Sequence, residues 1–145
     1  MAWYASLPTC HLATGMLLTD PHGRVLLVKT RYCDDWGRPG GVADEGEPRA
    51  WRVARRSTRN WAWTVPVGSL LGVDFVAASG ARLRSMIHLV FDGGAITGAP
   101  AITVQEDEIG EYAFLPLDTA TARMAPATAH RLPRALAARR PRRVA

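Results

Sequence analysis

A chain of 145 residues with 48% apolar side chains is one domain's worth of sequence, and it can bury a core without disulfides or structural metal. Its formal charge of +5 comes almost wholly from arginine, with Lys29 the only lysine, and Arg139-Arg140-Pro141-Arg142-Arg143 reads as part of a solvated basic tail (residues 139–145) more readily than as a nucleic-acid clamp. Two cysteines, Cys10 and Cys33, are too few for a secreted framework and not spaced as a zinc site; they read as small buried or half-buried residues in a reducing, cytoplasmic setting. No run approaches the roughly 18 to 20 apolar residues of a membrane span, and the N-terminus lacks a charged flank followed by a long hydrophobic signal segment.

In chain order, residues 12–18 and 25–28 are short apolar runs joined by Asp20-Pro21-His22-Gly23, whose turn chemistry predicts a hairpin. A polar loop, Tyr32-Cys33-Asp34-Asp35, leads into Trp36 and the Pro39-Gly40-Gly41 bend, where glycine lets backbone approach a ligand closely. Glu47 and Pro48 form a helix start, with a carboxylate near the positive end of the dipole and proline where no donor is lost. The helix runs to about Asn60. Ala50, Val53, Ala54, Ser57 and Trp61 recur at core spacing, while Arg52, Arg55, Arg56 and Arg59 form a guanidinium stripe on another face.

Residues 65–77 and 83–91, rich in Val, Ile, Leu and Phe and separated by Ala78-Ser79-Gly80-Ala81, read as a second strand pair. His88 lies in the second of these strands and reads as a satisfied structural residue. Residues 93–100 read as loop, and Tyr112, Phe114 and Leu115 mark another strand after the acidic trio Glu106-Asp107-Glu108. Residues 127–138 suit a C-terminal helix packed on the sheet; Pro133 requires it to start near Leu132 or to kink. The domain is thus placed at residues 1–138.

The stretch from Arg38 to Glu47, with the helix after it, resembles a Nudix box. That superfamily's box reads Gly, five residues, Glu, seven residues, then Arg-Glu-hydrophobic-x-Glu-Glu-x-Gly-hydrophobic; Gly41, Glu47 and Arg55 fall on their positions. The resemblance extends to the opening hairpin, the Trp36 approach, Gly72-Val-Asp-Phe75, His88-Leu-Val-Phe-Asp-Gly-Gly94 and residues 107–116. It implies an α/β fold, a Nudix-type α/β/α sandwich with a mixed sheet. It also implies descent from hydrolases of nucleoside diphosphates linked to another moiety, which use Mg²⁺ or Mn²⁺ held by box glutamates.

Where those glutamates would stand, this chain has Arg56, Arg59 and Asn60, and Ala62 replaces the closing Gly. Two arginines and one asparagine in place of three glutamates change the local formal charge from −3 to +2, so a divalent cation is repelled where it should be held. An arginine has no lone pair to offer a metal, and none is expected to bind the box as it stands. Activity is therefore expected to be impaired. Glu47 is the remaining catalytic candidate, and any surviving hydrolysis would still call for Mg²⁺ or Mn²⁺. Asp34, Asp35, His11 and His88 are the other acid or base candidates.

The flanks match well while every position from Arg56 to Thr64 departs together, a pattern that a local frameshift accounts for. In the frame one nucleotide earlier, the bases of residues 60–64 spell Leu, Gly, then Leu, Val or Met, then Asp. If Arg56 and Arg59 are AGG, Ser57 is TCN, and Arg55 and Thr58 end in G, the residues before them become Glu-Val-x-Glu-Glu.

Arginine binds phosphate directly through paired donors, so Arg38, Gly40, Gly41, Arg52, Arg55, Arg56, Arg59 and Asn60 are the expected contacts of a small anionic ligand such as a nucleoside diphosphate derivative. A non-hydrolytic binder of such a ligand is the alternative to the impaired hydrolase. A basic interaction module using the tail and Trp51, Trp61 and Trp63 ranks last. Nucleic acid and membrane are not expected partners, and a homodimer is left open.

Overall fold

The computed structural model describes residues 2–30, 34–44, 46, 67–80, 82–96 and 109–139. The expected box helix, with Glu47, Arg52, Arg55, Arg56, Arg59 and Asn60, lies outside the described residues, as do Cys33, Glu106 to Glu108 and Arg140 to Arg143.

The opening turn forms as its residues dictate. Asp20 Oδ1 accepts the backbone N–H groups of His22 (2.9 Å) and Arg24 (2.8 Å), Arg24 Nε donates to Asp20 Oδ2 at 2.6 Å, and Gly23 takes φ 79°. It joins β1 (Cys10–Thr19) to β2 (Val25–Thr30), but the two strands pair only at Thr19↔Val25. They part because the segment from Trp36 to Ala43 enters between them. Gly37 and Val28 exchange backbone hydrogen bonds at 2.8 and 2.9 Å, Met16 N–H donates to the Pro39 carbonyl at 2.8 Å, and Ala43 N–H donates to the Leu12 carbonyl at 2.7 Å. Within this wedge β3 (Gly40–Val42) runs antiparallel to β1. The simple hairpin read from sequence is thus a split one.

The second strand pair is β4 (Leu70–Val76) and β5 (Ser85–Ala95), antiparallel, with Gly80 at φ 56° in the turn between them. Residues 93–95, expected as loop, continue the strand. Parallel pairing with β1 carries β5 on to Thr19↔Ala95 through an irregularity beside Leu17 and Leu18, which Gly94 accommodates at φ 82°. The last strand, β6 (Ile109–Leu115), pairs antiparallel with β2. The order β4-β5-β1-β2-β6, with β3 on β1, gives a mixed six-stranded sheet.

Burial explains why β1 and β2 read as unbroken apolar runs: both faces are covered. On one face Leu17, Val25, Leu27 and Val90 pack with Ala120, Met124, Leu132 and Ala135; on the other Met16, Leu18, Leu26 and Ile96 form a separate cluster. Each fully buried Leu or Val contributes about 1.5 to 3 kcal/mol. The first cluster is closed by helices α2 (Leu117–Arg123), α3 (Pro126–Ala129) and α4 (Arg131–Ala138). The expected C-terminal helix breaks at His130, and Pro133 falls in the first turn of α4, where its missing N–H costs nothing. A short helix α1 (Ala2–Ser6), which carries no periodic apolar signal, leaves Trp3 and Tyr4 exposed.

Two readings need correction. Cys10 is exposed, because it opens β1 at the end of the sheet. Arg139, assigned to the solvated tail, is a structural clamp: its Nε donates to Asp92 Oδ1 (2.9 Å), Nη1 to Thr19 Oγ1 (2.6 Å) and Nη2 to the Leu17 carbonyl (2.7 Å). It ties the end of α4 to the irregular stretch of β5. Among the described residues no helix is long and apolar enough to cross a membrane.

Candidate functional site

The wedge between β1 and β2 determines where the site's first arginine goes. Trp36 anchors one end: its N–H donates to the Arg123 carbonyl at 3.1 Å, and the Arg123 guanidinium lies 5.6 Å from its ring centroid. Pro39 is buried at the other end, and Gly40 lies so close to the Thr14 carbonyl that no Cβ fits there. Between these anchors Arg38 is laid over β1 at Gly15, beside His88. A Cβ on Gly15 would stand 3.1 Å from His88 Cε1 and 3.7 Å from Arg38 Nε. Glycine at 15 therefore gives the imidazole and the guanidinium their room.

Strand register places Asp74 next to His88 across β4 and β5, and α4 supplies the rest. Asp74 Oδ2 accepts Arg131 Nε at 2.6 Å and lies 3.2 Å from His130 Nε2. Arg131 is 8% exposed. Asp74, His130 and Arg131, with Gly72, Val90 and Arg134, border a cavity of about 30 Å³, room for a water or two.

Among the described residues the charges in this cluster do not balance. Asp74 is held below the usual carboxylate range, chiefly by the hydrogen bond from Arg131 and by the charges of Arg131 and His130, against the opposing effect of burial. Burial first, then the charges of Arg131 and Arg38, push His88 from 6.5 down to about 4, with Asp74 opposing. The imidazole is neutral at pH 7. Burial and the Arg131 charge lower Arg38 to about 10, again with Asp74 opposing, which leaves it charged at pH 7. Arg38 Nη1 and His88 Nδ1 are buried with no hydrogen-bond partner among the described residues. A buried unsatisfied donor costs about 1 to 3 kcal/mol, more when charged. Such a cost marks a place where an acceptor is wanted.

Of the expected ligand contacts, the structure places Arg38, Gly40 and Gly41 on one strand approach, with Gly41 paired to Thr14. Gly40 and Gly41 serve close backbone packing on β1, and Arg38 alone of the three aims a side chain at the polar cluster. Sequence reasoning missed Asp74, His130 and Arg131, and read His88 first as a satisfied structural residue while keeping it among the acid or base candidates. A signal was present for Asp74, the one charged residue in the apolar strand Leu70–Val76. Among the described residues no three His, Cys, Asp or Glu side chains are grouped to hold a metal ion. The side chains at 56, 59 and 60 do not fit a hard cation either: two are cationic and lack lone pairs, and the amide of Asn60 is a weaker ligand than a carboxylate.

Comparison with known proteins agrees with the box resemblance. The NUDIX domain profile matches residues 9–136. Among solved structures, the MutT NUDIX hydrolase from Burkholderia pseudomallei is 24% identical, with a TM-score of 0.70, covering 87% of this chain and 98% of that one. The NUDIX domain of Shewanella oneidensis NrtR, complexed with ADP ribose, is 18% identical at a TM-score of 0.72, covering 92% of this chain and 90% of that one. A C. elegans Ap4A hydrolase binary complex is 18% identical at 0.69, covering 87% of this chain and 95% of that one. At these identities the structural likeness speaks to the fold. No curated protein matches the chain by sequence. With a profile match over most of its length and the mixed sheet and helices in place, this chain belongs to the NUDIX domain family.

Proposed function

We propose that this protein descends from hydrolases of nucleoside diphosphates linked to another moiety, retains the capacity to bind such an anionic small molecule, and is impaired in its hydrolysis. One observation carries the reading: inside a box frame kept at Gly41, Glu47 and Arg55, the three ligand positions hold Arg56, Arg59 and Asn60. Diphosphate hydrolysis in this family depends on a divalent cation that neutralises developing phosphate charge and prepares a water. These residues do not fit that ion. What remains is binding. Arginine donors contact phosphate oxygens directly, and the ADP ribose of the Shewanella oneidensis domain supports a ligand of this class. Residual turnover would recruit Glu47 with Asp44, Glu45 or Glu106 to Glu108.

The second reading, a metal-independent binder with no hydrolytic role, is favoured by Arg38, whose buried Nη1 awaits an acceptor. Product formation followed by ³¹P NMR with Mg²⁺ or Mn²⁺ tests the first. The chain is compared with the triple variant Arg56→Glu, Arg59→Glu and Asn60→Glu on a panel of nucleoside diphosphate derivatives. The expected result is an inert parent and an active variant. Metal-dependent turnover by the parent would overturn the impairment; inertness of both would mean that the box change altered more than the metal ligands and would put the pocket itself in doubt. The gene's codons test how the box changed: AGG at Arg56 and Arg59 is expected from a frameshift, and CGN at both sinks it.

A further inference from the structure

We propose that Arg38 and His88 form a metal-independent binding site for one small oxyanion, a carboxylate or a single phosphate group, on the α4 face of the sheet. This deepens the metal-independent binding reading, which rests on the same Arg38 donor, and does not depend on hydrolysis. Its first ground is the unmet donor: Arg38 Nη1 is buried without a partner, and no described carboxylate forms an ion pair with Arg38. The second is that the neighbouring acid is already committed, since Asp74 receives Arg131 Nε at 2.6 Å and lies 3.2 Å from His130 Nε2. Among the described residues, Arg38 and Arg131 against Asp74, with His88 neutral, leave at least one positive charge over.

The third ground is His88, whose Nδ1 is also buried without a partner while its ring packs with Arg38 against Gly15. In the Nδ1–H tautomer it adds a second buried donor without an acceptor. A planar guanidinium fork beside a ring N–H suits an oxyanion better than a cation or a neutral amide, which would bring donors of its own. Water satisfies the hydrogen bonds but leaves the charge in place.

The test is thermal unfolding of the full chain in EDTA, with sodium acetate or inorganic phosphate added at constant ionic strength balanced by a bulky sulfonate. With a probe at ten times its dissociation constant, a saturable rise of about 3 to 6 °C is expected, and Arg38→Met should abolish it. A response to acetate alone assigns a carboxylate, and one to phosphate alone assigns a phosphate group. Absence of any saturable rise, or an equal rise in Arg38→Met, overturns the proposal. If Arg38→Met does not fold, ¹H–¹⁵N spectra of the unaltered chain decide, with the His88 ring assigned through His88→Gln. Nδ1 should shift along the same saturation curve, and an unmoved Nδ1 overturns the site. Because EDTA removes divalent metal, failure here leaves the hydrolase reading to its own test.

Discussion

Arg139 and Arg38 are the same side chain in opposite circumstances. Arg139 stands at the end of α4, and its donors reach Asp92, Thr19 and the carbonyls of Leu17 and Gly94. Arg38 stands over Gly15 with a buried donor that meets no partner among the described residues. A guanidinium whose donors are filled holds a structure together; one buried with a donor empty weakens the fold unless something arrives to fill it. The comparison separates a clamp from a binding group without reference to sequence position.

Breaking the clamp should produce the largest effect. Arg139→Met leaves Asp92, whose side chain is 23% exposed, without its charge partner, and three other acceptors without theirs. A loss of about 2 to 4 kcal/mol is expected, read as a fall in Tm on the order of 10 °C.

Acid comes next, acting on the other arginine's neighbourhood. The folded-state value of His88, about 4, lies below its ordinary 6.5, so between these limits the unfolded chain binds more protons than the folded one. Stability therefore rises with pH across this window, and up to about 3 kcal/mol is lost as pH falls through it. Urea unfolding between pH 4 and 7 measures the slope, and His88→Gln should flatten it. A bound oxyanion would hold the imidazolium and make the slope shallower in the unaltered chain.

Asp74→Asn follows, expected to cost about 1 to 3 kcal/mol in urea unfolding because it strips the buried Arg131 of its counter-charge. Smallest of all should be Arg38→Met in the absence of anions: a change within about 1 kcal/mol, or a gain, since an unpartnered buried charge is replaced by an apolar chain of similar length. A loss as large as that of Arg139→Met would erase the distinction between the two arginines.

The strands and turns were legible because local chemistry specifies them. The Asp20 turn, the apolar runs of β1 and β2, and the Gly80 turn of β4 and β5 each follow from residues a few positions apart. The split of β1 from β2 was not legible, because the segment that enters between them competes for the same backbone groups from a distance. The Gly93-Gly94 pair looks like loop, and parallel pairing with β1 keeps it in the strand. At the site, Arg38 was picked out by its place beside the Pro-Gly-Gly bend, whereas His88 was misread for want of knowledge of its neighbours.

By itself the sequence determined the family frame and the loss of the box carboxylates, since whether a side chain can donate a lone pair to a metal is a property of the residue and needs no geometry. The tertiary structure decided which arginine is satisfied. The partners of Arg139 lie between 45 and 122 positions away, and Arg131 meets Asp74 across 57. Desolvation and pairing at such separations exist only once the sheet and α4 have brought the chain together, and they alone distinguish the arginine that clamps from the one left to bind.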